Sequence, residues 1–203
     1  NKIYSNLLEK SRVDHIAGTG KFVEERTVEI FGKRYSASHI LIATGGTPFV
    51  PPVEGADLGI TSDGFFALER QPKSALVVGG GYIGVEIAGV LRAMGTEVKI
   101  VTRGRGVLPN FDEDIRQQLV EHIHDQGIGL ADCSEPKKLQ KVDDGLELVN
   151  ASGETHRGEV CIWATGRVPN TGALNLAAAN VEKDSRGFVK VDAYQNTSTT
   201  GVY

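Results

Sequence analysis

The 203-residue chain is poor in sulfur and in aromatic side chains: two cysteines, one methionine, one tryptophan and 6% aromatic residues in all. Its two cysteines, Cys133 and Cys161, stand far apart, without the short spacing of a metal site. That usage fits a reducing, cytoplasmic compartment better than a disulfide-stapled secreted domain. No apolar run approaches the ~18 residues that a membrane helix needs. The opening stretch, residues 1–10, has no hydrophobic signal-peptide core. It also lacks an initiator Met, so a processed or excised piece of a longer protein is expected. Net charge is −4 with no long basic run, which gives no electrostatic argument for nucleic acid or an anionic membrane surface. What remains is ordinary for a globular protein: 40% hydrophobic and 24% charged residues, on a chain long enough for one large domain or two small ones. Glycine alone is in excess, with 25 residues. The informative question is where those glycines sit.

Residues 2–12 read as the tail of an amphipathic helix with Ile3, Leu7 and Leu8 on one face. Short β-like pieces follow (VDHIAG, GKFVE, TVEIFG, KRYSASHILIATGG), punctuated by Gly18, Gly20 and Gly32. They predict a small antiparallel meander ending in one buried strand, His39–Thr44. Residues 47–59, rich in Pro and Gly, read as a linker. In TSDGFFALERQP, Ser62 or Asp63 is expected to cap a short helix. Then SALVV predicts a strand, YIGVEIAGVLRAMG a helix ending at Gly95, and EVKIVT a second strand. That order, within ~30 residues, implies a right-handed parallel βαβ unit. FDEDIRQQLVEHIHDQG is a further helix with Ile115, Leu119, Val120 and Ile123 as its stripe; His122 and His124 are read as surface residues. IGLADC predicts a third parallel strand. Residues 137–159 predict a polar antiparallel ribbon turning at Asp144-Gly145 and Ser152-Gly153, and VCIWATG another buried strand, with Cys161 as a small buried hydrophobe. The tail predicts a short helix and two possible strands. The fold class is thus α/β, a Rossmann-like parallel sheet with an added antiparallel meander. HILIATGG and CIWATGR both end in Ala-Thr-Gly and bracket the βαβ region, as the two crossings of an inserted domain would.

Gly79-Gly80-Gly81-Tyr82-Ile83-Gly84 satisfies G-x-G-x-x-G, after a strand and at the opening of a helix. Gly79 allows the tight turn, Gly81 lets a pyrophosphate approach the backbone, and Gly84 lets the helix pack close to the strand. The helix start at Tyr82 aims free N–H groups and a positive dipole at the phosphates. NAD sites usually place an acid at the end of the second strand. Here Thr102-Arg103-Gly104-Arg105 stands instead, and Arg103 and Arg105 suit a 2′-phosphate. Two solvated surface arginines are the plainer alternative. These residues favour NADPH, with NADH possible.

ILIATGG, LGITSDGFF, GGGYIGVEIAG, WATGRVPNT and DAYQNT…GVY, in that order, resemble the glutathione reductases within the pyridine nucleotide-disulfide oxidoreductase family. The likeness runs along the whole chain. It implies that residues 1–46 are the latter part of an FAD-binding domain, 47–169 an NAD(P)H-binding domain, and 170–203 a return segment toward the FAD domain. It places Gly20, Thr44 and Gly45 by FAD. It makes Tyr82 a gate over the nicotinamide pocket, Ile83 a backbone contact, Glu86 an acid near the carboxamide, Gly166 and Arg167 a channel-lining pair, and Arg103 a 2′-phosphate ligand. A helix-start aromatic, a solvated acid and a structural ion pair are the plainer readings of Tyr82, Glu86 and Arg167.

Three departures qualify the likeness. Gly84 stands where NADPH-using members often have Ala. Pro109 stands where the family has a second phosphate-binding arginine. The family's Cys-x4-Cys pair, its N-terminal FAD fingerprint and its C-terminal dimerising domain with a His-Glu relay are not in these residues. No catalytic residue and no metal ligand is therefore assigned. In the intact enzyme the resemblance implies hydride passing from NADPH to FAD, then electrons to a cysteine pair and to glutathione disulfide, in a homodimer that contributes to redox homeostasis. The chain alone is expected to bind pyridine nucleotide and reduce no disulfide. An NADH-linked relative of the lipoamide dehydrogenases and a non-catalytic nucleotide-binding module remain as alternatives.

Overall fold

A computed structural model describes residues 2–203. The chain divides into two compact units, one formed by residues 1–46 with 169–203, the other by Thr47–Val168.

The first unit opens with helix α1 (Lys2–Lys10), whose Ile3 and Leu7 are exposed. Strands β1 (Lys21–Glu24), β2 (Thr27–Ile30) and β3 (Lys33–Ser36) then form the expected antiparallel meander. Ile30 pairs with Lys33 across Phe31 and Gly32, and both have positive φ (51° and 76°), as the tightest right-twisting hairpin turn requires. Phe22, Leu176, Ala179, Val181 and Val202 make this unit's core. VDHIAG forms no strand, and neither does His39–Thr44. Its only strand-like contact is a parallel bridge from Ile40 to Val202, with amide bonds to Gly201 and Tyr203 on that one side, and Leu41 is 73% exposed. Among the described residues this segment is laddered along one edge, and its exposed Leu41 shows that it is not covered on both faces. The tail likewise gives two short 3₁₀ turns, Gly172–Leu174 and Leu176–Ala179, and a single Lys183–Val189 bridge in place of two strands. Asn175 and Asn180, both left-handed, stop these turns.

The chain leaves through β4 (Gly46–Pro48) and returns through β13 (Arg167–Pro169). Residues 47–59, expected as a linker, are packed instead. Val53, Ala56 and Leu58 join an apolar core, the Leu139 amide donates to the Glu54 carbonyl at 2.8 Å, and the buried Trp163 indole donates to the Ala56 carbonyl at 2.8 Å.

The second unit is three layers deep. At its centre runs a five-stranded parallel sheet in the order β5 (Ile60–Thr61), β12 (Val160–Trp163), β6 (Ser74–Val78), β7 (Glu97–Val101), β8 (Gly129–Ala131). Short helix α2 (Ser62–Phe66) follows β5; Thr61 occupies its cap position and neither Ser62 nor Asp63 caps it by side chain. Helices α3 (Tyr82–Ala93) and α4 (Glu113–Asp125) cover one face, where Ala75, Val77, Ile100 and Ile162 meet Ile87, Leu91 and Ile123. On the other face, Leu76, Val78, Val101 and Trp163 meet Leu139, Leu146 and Leu148 of an antiparallel ribbon. That ribbon is β9 (Pro136–Val142), β10 (Gly145–Asn150) and β11 (Thr155–Gly158). Burial on both faces is why SALVV is continuously apolar and does not alternate. Its first turn is Asp143-Asp144, one residue earlier than expected, because Gly145 already pairs with Val142. Only glycine serves there: a Cβ would lie 2.6 Å from the Gly158 carbonyl oxygen, and φ is 144°.

Under the ribbon lies a buried polar cluster. The His156 ring meets the Ser134 hydroxyl at 3.3 Å, and the Asn150 amide donates to that hydroxyl at 3.0 Å. Burial holds the His156 imidazole below the usual histidine range; Glu154 pulls it upward and Lys99 adds to the lowering. A base with a depressed folded pKa favours the fold while neutral and withdraws that contribution as pH falls from the unfolded value of 6.5 toward the folded one. Urea unfolding of the complete protein should therefore show the midpoint of this unit falling between pH 7 and pH 5. His156→Gln, which does not titrate, should flatten that dependence; an equal slope in both proteins would remove His156 as its source.

Candidate nucleotide site

The three central strands of the parallel sheet run the same way, so their carboxyl ends share one edge. Ligands of open parallel sheets bind at that edge, where strand order reverses. From β6 the chain passes into Gly79–Gly84, from β7 into Thr102–Arg105, and from β12 into Gly166-Arg167. Gly79–Gly84, Thr102–Arg105 and Gly166-Arg167 thus follow strands that end at one rim, whereas Glu86 lies further along α3.

Each fingerprint glycine has a distinct geometric reason. Gly79 has φ 127°, and a Cβ there would collide with the Ala164 carbonyl oxygen. A Cβ on Gly84 would collide with the Gly79 carbonyl oxygen, so α3 meets β6 at backbone contact. Gly81 is different: a Cβ there would meet nothing within 4 Å. Gly81 precedes twelve-residue α3, with no side chain capping the helix. Unfilled space in front of uncapped N–H groups is what an anionic group requires. Tyr82 opens the helix and is 57% exposed.

The middle residue of the triple glycine was not expected to matter. A Cβ on Gly80 would lie 2.8 Å from Thr102 Cγ2 and 3.2 Å from the Gly106 carbonyl oxygen. The Leu108 amide donates to the Gly80 carbonyl at 2.7 Å. The phosphate turn and the arginine loop are therefore packed against each other. A third successive glycine, beyond what the fingerprint needs, was the available signal.

Thr102 is buried, and its hydroxyl donates to the Gly104 carbonyl at 2.7 Å. Its part is to shape the loop. Arg103 and Arg105 are exposed on that loop. Arg116, which the sequence reading passed over, reaches the same loop from α4 with bonds to the Arg105 and Val107 carbonyls. Nothing in sequence distinguished it from a surface partner of Glu113.

Ile83, Glu86 and Arg167 line one open groove of about 750 Å³ together with Phe65, Phe66 and Met94. Glu86 is exposed, and Gly166 takes φ 123° with open space at its Cβ position. In the other unit, Gly20 precedes β1, where a Cβ would meet Val28 at 3.0 Å. The Thr44 and Gly45 carbonyls accept from the Asn170 side chain and amide at 3.1 and 3.0 Å. Of the two thiols, Cys161 lies in the sheet core, where burial pushes it up to about 12, so it stays protonated; Cys133 is exposed.

A dinucleotide-type α/β fold with a glycine cradle at its sheet edge defines the class. The particular family follows from comparison. The family described as pyridine nucleotide-disulphide oxidoreductase matches residues 1–203, and the chain belongs to it. A glutathione reductase from Yarrowia lipolytica is 38% identical over 217 residues, spanning all of this chain and 46% of that protein. Among solved structures, the HOCl-induced flavoprotein disulfide reductase RclA from Escherichia coli superposes with a TM-score of 0.90 at 26% identity, over all of this chain and 47% of its own. LpdA from Mycobacterium tuberculosis shares the fold, with a TM-score of 0.90 at 24% identity and 47% of that chain covered. The chain thus spans about half the length of the relatives it matches.

The glycine geometry separates folding from binding. Gly84→Ala forces α3 away from β6 and should lower the unfolding free energy of the complete protein by roughly 1–3 kcal/mol, the range for overpacking a tight contact, and its denaturation midpoint with it. Gly81→Ala, with φ −77° and free space, should leave that midpoint unchanged. Chemical denaturation of both variants checks the contrast, and equal losses would refute it.

Proposed function

We propose that residues 47–169 are the NAD(P)H-binding portion of a flavoprotein disulfide reductase that uses NADPH and acts on glutathione disulfide, with residues 1–46 and 170–203 belonging to its FAD-binding part. The observation that carries the reading is the unfilled space over Gly81 in front of the uncapped start of α3. A pyrophosphate fits there on backbone donors and the helix dipole. Arg103 and Arg105, standing where an NAD site places an acid, hold the 2′-phosphate. Ile83, Glu86 and Arg167 share a groove with apolar walls, which suits a nicotinamide ring with one polar edge; Tyr82 covers it and moves aside on entry. Thr44, Gly45 and Gly20 lie toward FAD. When bound, the reduced nicotinamide supplies a hydride to the flavin. This chain's own part is to bind and orient it.

The 38% identity to a glutathione reductase supports glutathione disulfide as substrate. A homodimer, a role in redox homeostasis and a cytoplasmic setting are part of the same proposal. Residues 1–203 contain two cysteines 28 positions apart in place of a Cys-x4-Cys pair, so by themselves they bind nucleotide and turn over no disulfide.

A second reading, an NADH-linked reductase resembling lipoamide dehydrogenases, is favoured by two observations. Gly84 has no room for the Ala that NADPH users often carry, and Pro109 supplies no second arginine. Calorimetry of the complete protein with each coenzyme decides between them. NADPH should bind the tighter, and Arg103→Met should weaken it by about 10-fold, the scale of a lost charged hydrogen bond, while NADH changes little. Tighter NADH binding in the unmodified protein supports the second reading, and failure to bind either coenzyme overturns both.

A further inference from the structure

The loop from Thr102 to Leu108 has to present two arginines from an Arg-Gly-Arg-Gly sequence, which is freely jointed when unrestrained. It is nonetheless tied along its length. The Thr102 hydroxyl and the Cys133 amide both donate to the Gly104 carbonyl, at 2.7 and 3.1 Å. Leu108 is tied to Gly80 at 2.7 Å. Two of the three carbonyls between these anchors are held by one side chain. Arg116, on the first turn of α4, donates from Nη2 to the Arg105 carbonyl at 3.2 Å and from Nε to the Val107 carbonyl at 3.1 Å. Its Nη1 donates to Glu113 at 2.6 Å, and its side chain is 21% exposed. The guanidinium is a rigid planar fork, so it fixes the separation of two acceptors, which an ammonium cannot do. With Glu113 answering its charge and its nitrogens engaged, Arg116 acts on the loop and is not itself directed to a ligand.

We propose that Arg116 is a positioning residue that sets coenzyme preference. By bridging the Arg105 and Val107 carbonyls it holds the backbone under Arg103 and Arg105, so that both are presented to the 2′-phosphate of NADP(H) before it arrives. The proposal rests on the reading of this loop as the 2′-phosphate site. The energetic argument is preorganisation: a loop already ordered by its own hydrogen bonds does not lose that freedom again on binding. Only NADP(H) draws on this, because NAD(H) has no phosphate for the loop to meet. A role confined to stabilising α4 would affect both coenzymes alike.

The test compares NADPH and NADH dissociation constants in the complete protein for the unmodified chain, Arg116→Gln, Arg116→Lys and Glu113→Gln. Arg116→Gln should weaken NADPH by about 5–20-fold and NADH by less than about twofold. Arg116→Lys keeps the charge but bridges one carbonyl at most, and should lower the NADPH preference several-fold; it decides the matter if the Gln variant does not fold. Glu113→Gln leaves both carbonyl bonds in place and should stay within about twofold for each coenzyme. An unmodified protein that prefers NADH overturns the reading of the loop. An unmodified protein that prefers NADPH, with a preference that survives both Arg116 variants, overturns the positioning role and leaves the loop's reading intact.

Discussion

The rest of the nucleotide-binding architecture depends on one close approach, the backbone contact between the first turn of α3 and the end of β6. Gly84 lies so near the Gly79 carbonyl that no side chain fits between them, and Gly79 in turn leaves no space toward Ala164, the residue just after the neighbouring strand β12. Three successive pieces of backbone are packed without an intervening side chain. That contact brings the helix start directly over the sheet edge, so the free N–H groups and the positive end of the dipole face the crevice at its mouth. A helix displaced by one side-chain diameter would aim the same groups over the sheet surface. The fingerprint is therefore a packing requirement first; phosphate affinity follows from where the packing puts the helix.

Much of this was legible in the sequence because it follows from local periodicity and from glycine. The βαβ unit, helix α4 with its acidic start and Gly127 at its end, and the ribbon over the sheet all have short-range causes. What could not be read depends on partners distant in the chain. His39–Thr44 has the apolar composition of a buried strand, yet strand character comes from neighbours, and among the described residues its backbone ladder is the one with Gly201–Tyr203. Residues 47–59 carry the prolines and glycines of a linker and are nevertheless held by Leu139 and Trp163, more than 80 positions away. Within the site, the glycines and the arginine pair were legible because the fingerprint fixes their spacing. Gly80 and Arg116 were not, because their importance lies in a contact between two loops that no spacing rule encodes.

Coenzyme choice is where local signals disagree, and the geometry says why they need not be weighed equally. Gly84 bears on the seat of α3, and the pyrophosphate proposed to bind there is common to both coenzymes. Pro109 removes a side chain beyond Leu108, the point at which the loop is already tied back to Gly80. The residues proposed to meet a 2′-phosphate lie before that tie, at 103 and 105. A proline beyond it fixes φ without withdrawing a donor from the stretch that matters.

The arginine loop is also held from both faces of the sheet. From the helical side comes the Arg116 fork. From the ribbon side, the Ser134 amide donates to the Thr102 carbonyl at 2.8 Å and the Cys133 amide to Gly104, while the Ser134 hydroxyl is fixed in turn by Asn150 and His156. Two layers that share no side chains thus meet at one short loop. Their agreement on its position is what makes a glycine-rich segment a defined surface: neither layer alone ties all three carbonyls at 104, 105 and 107.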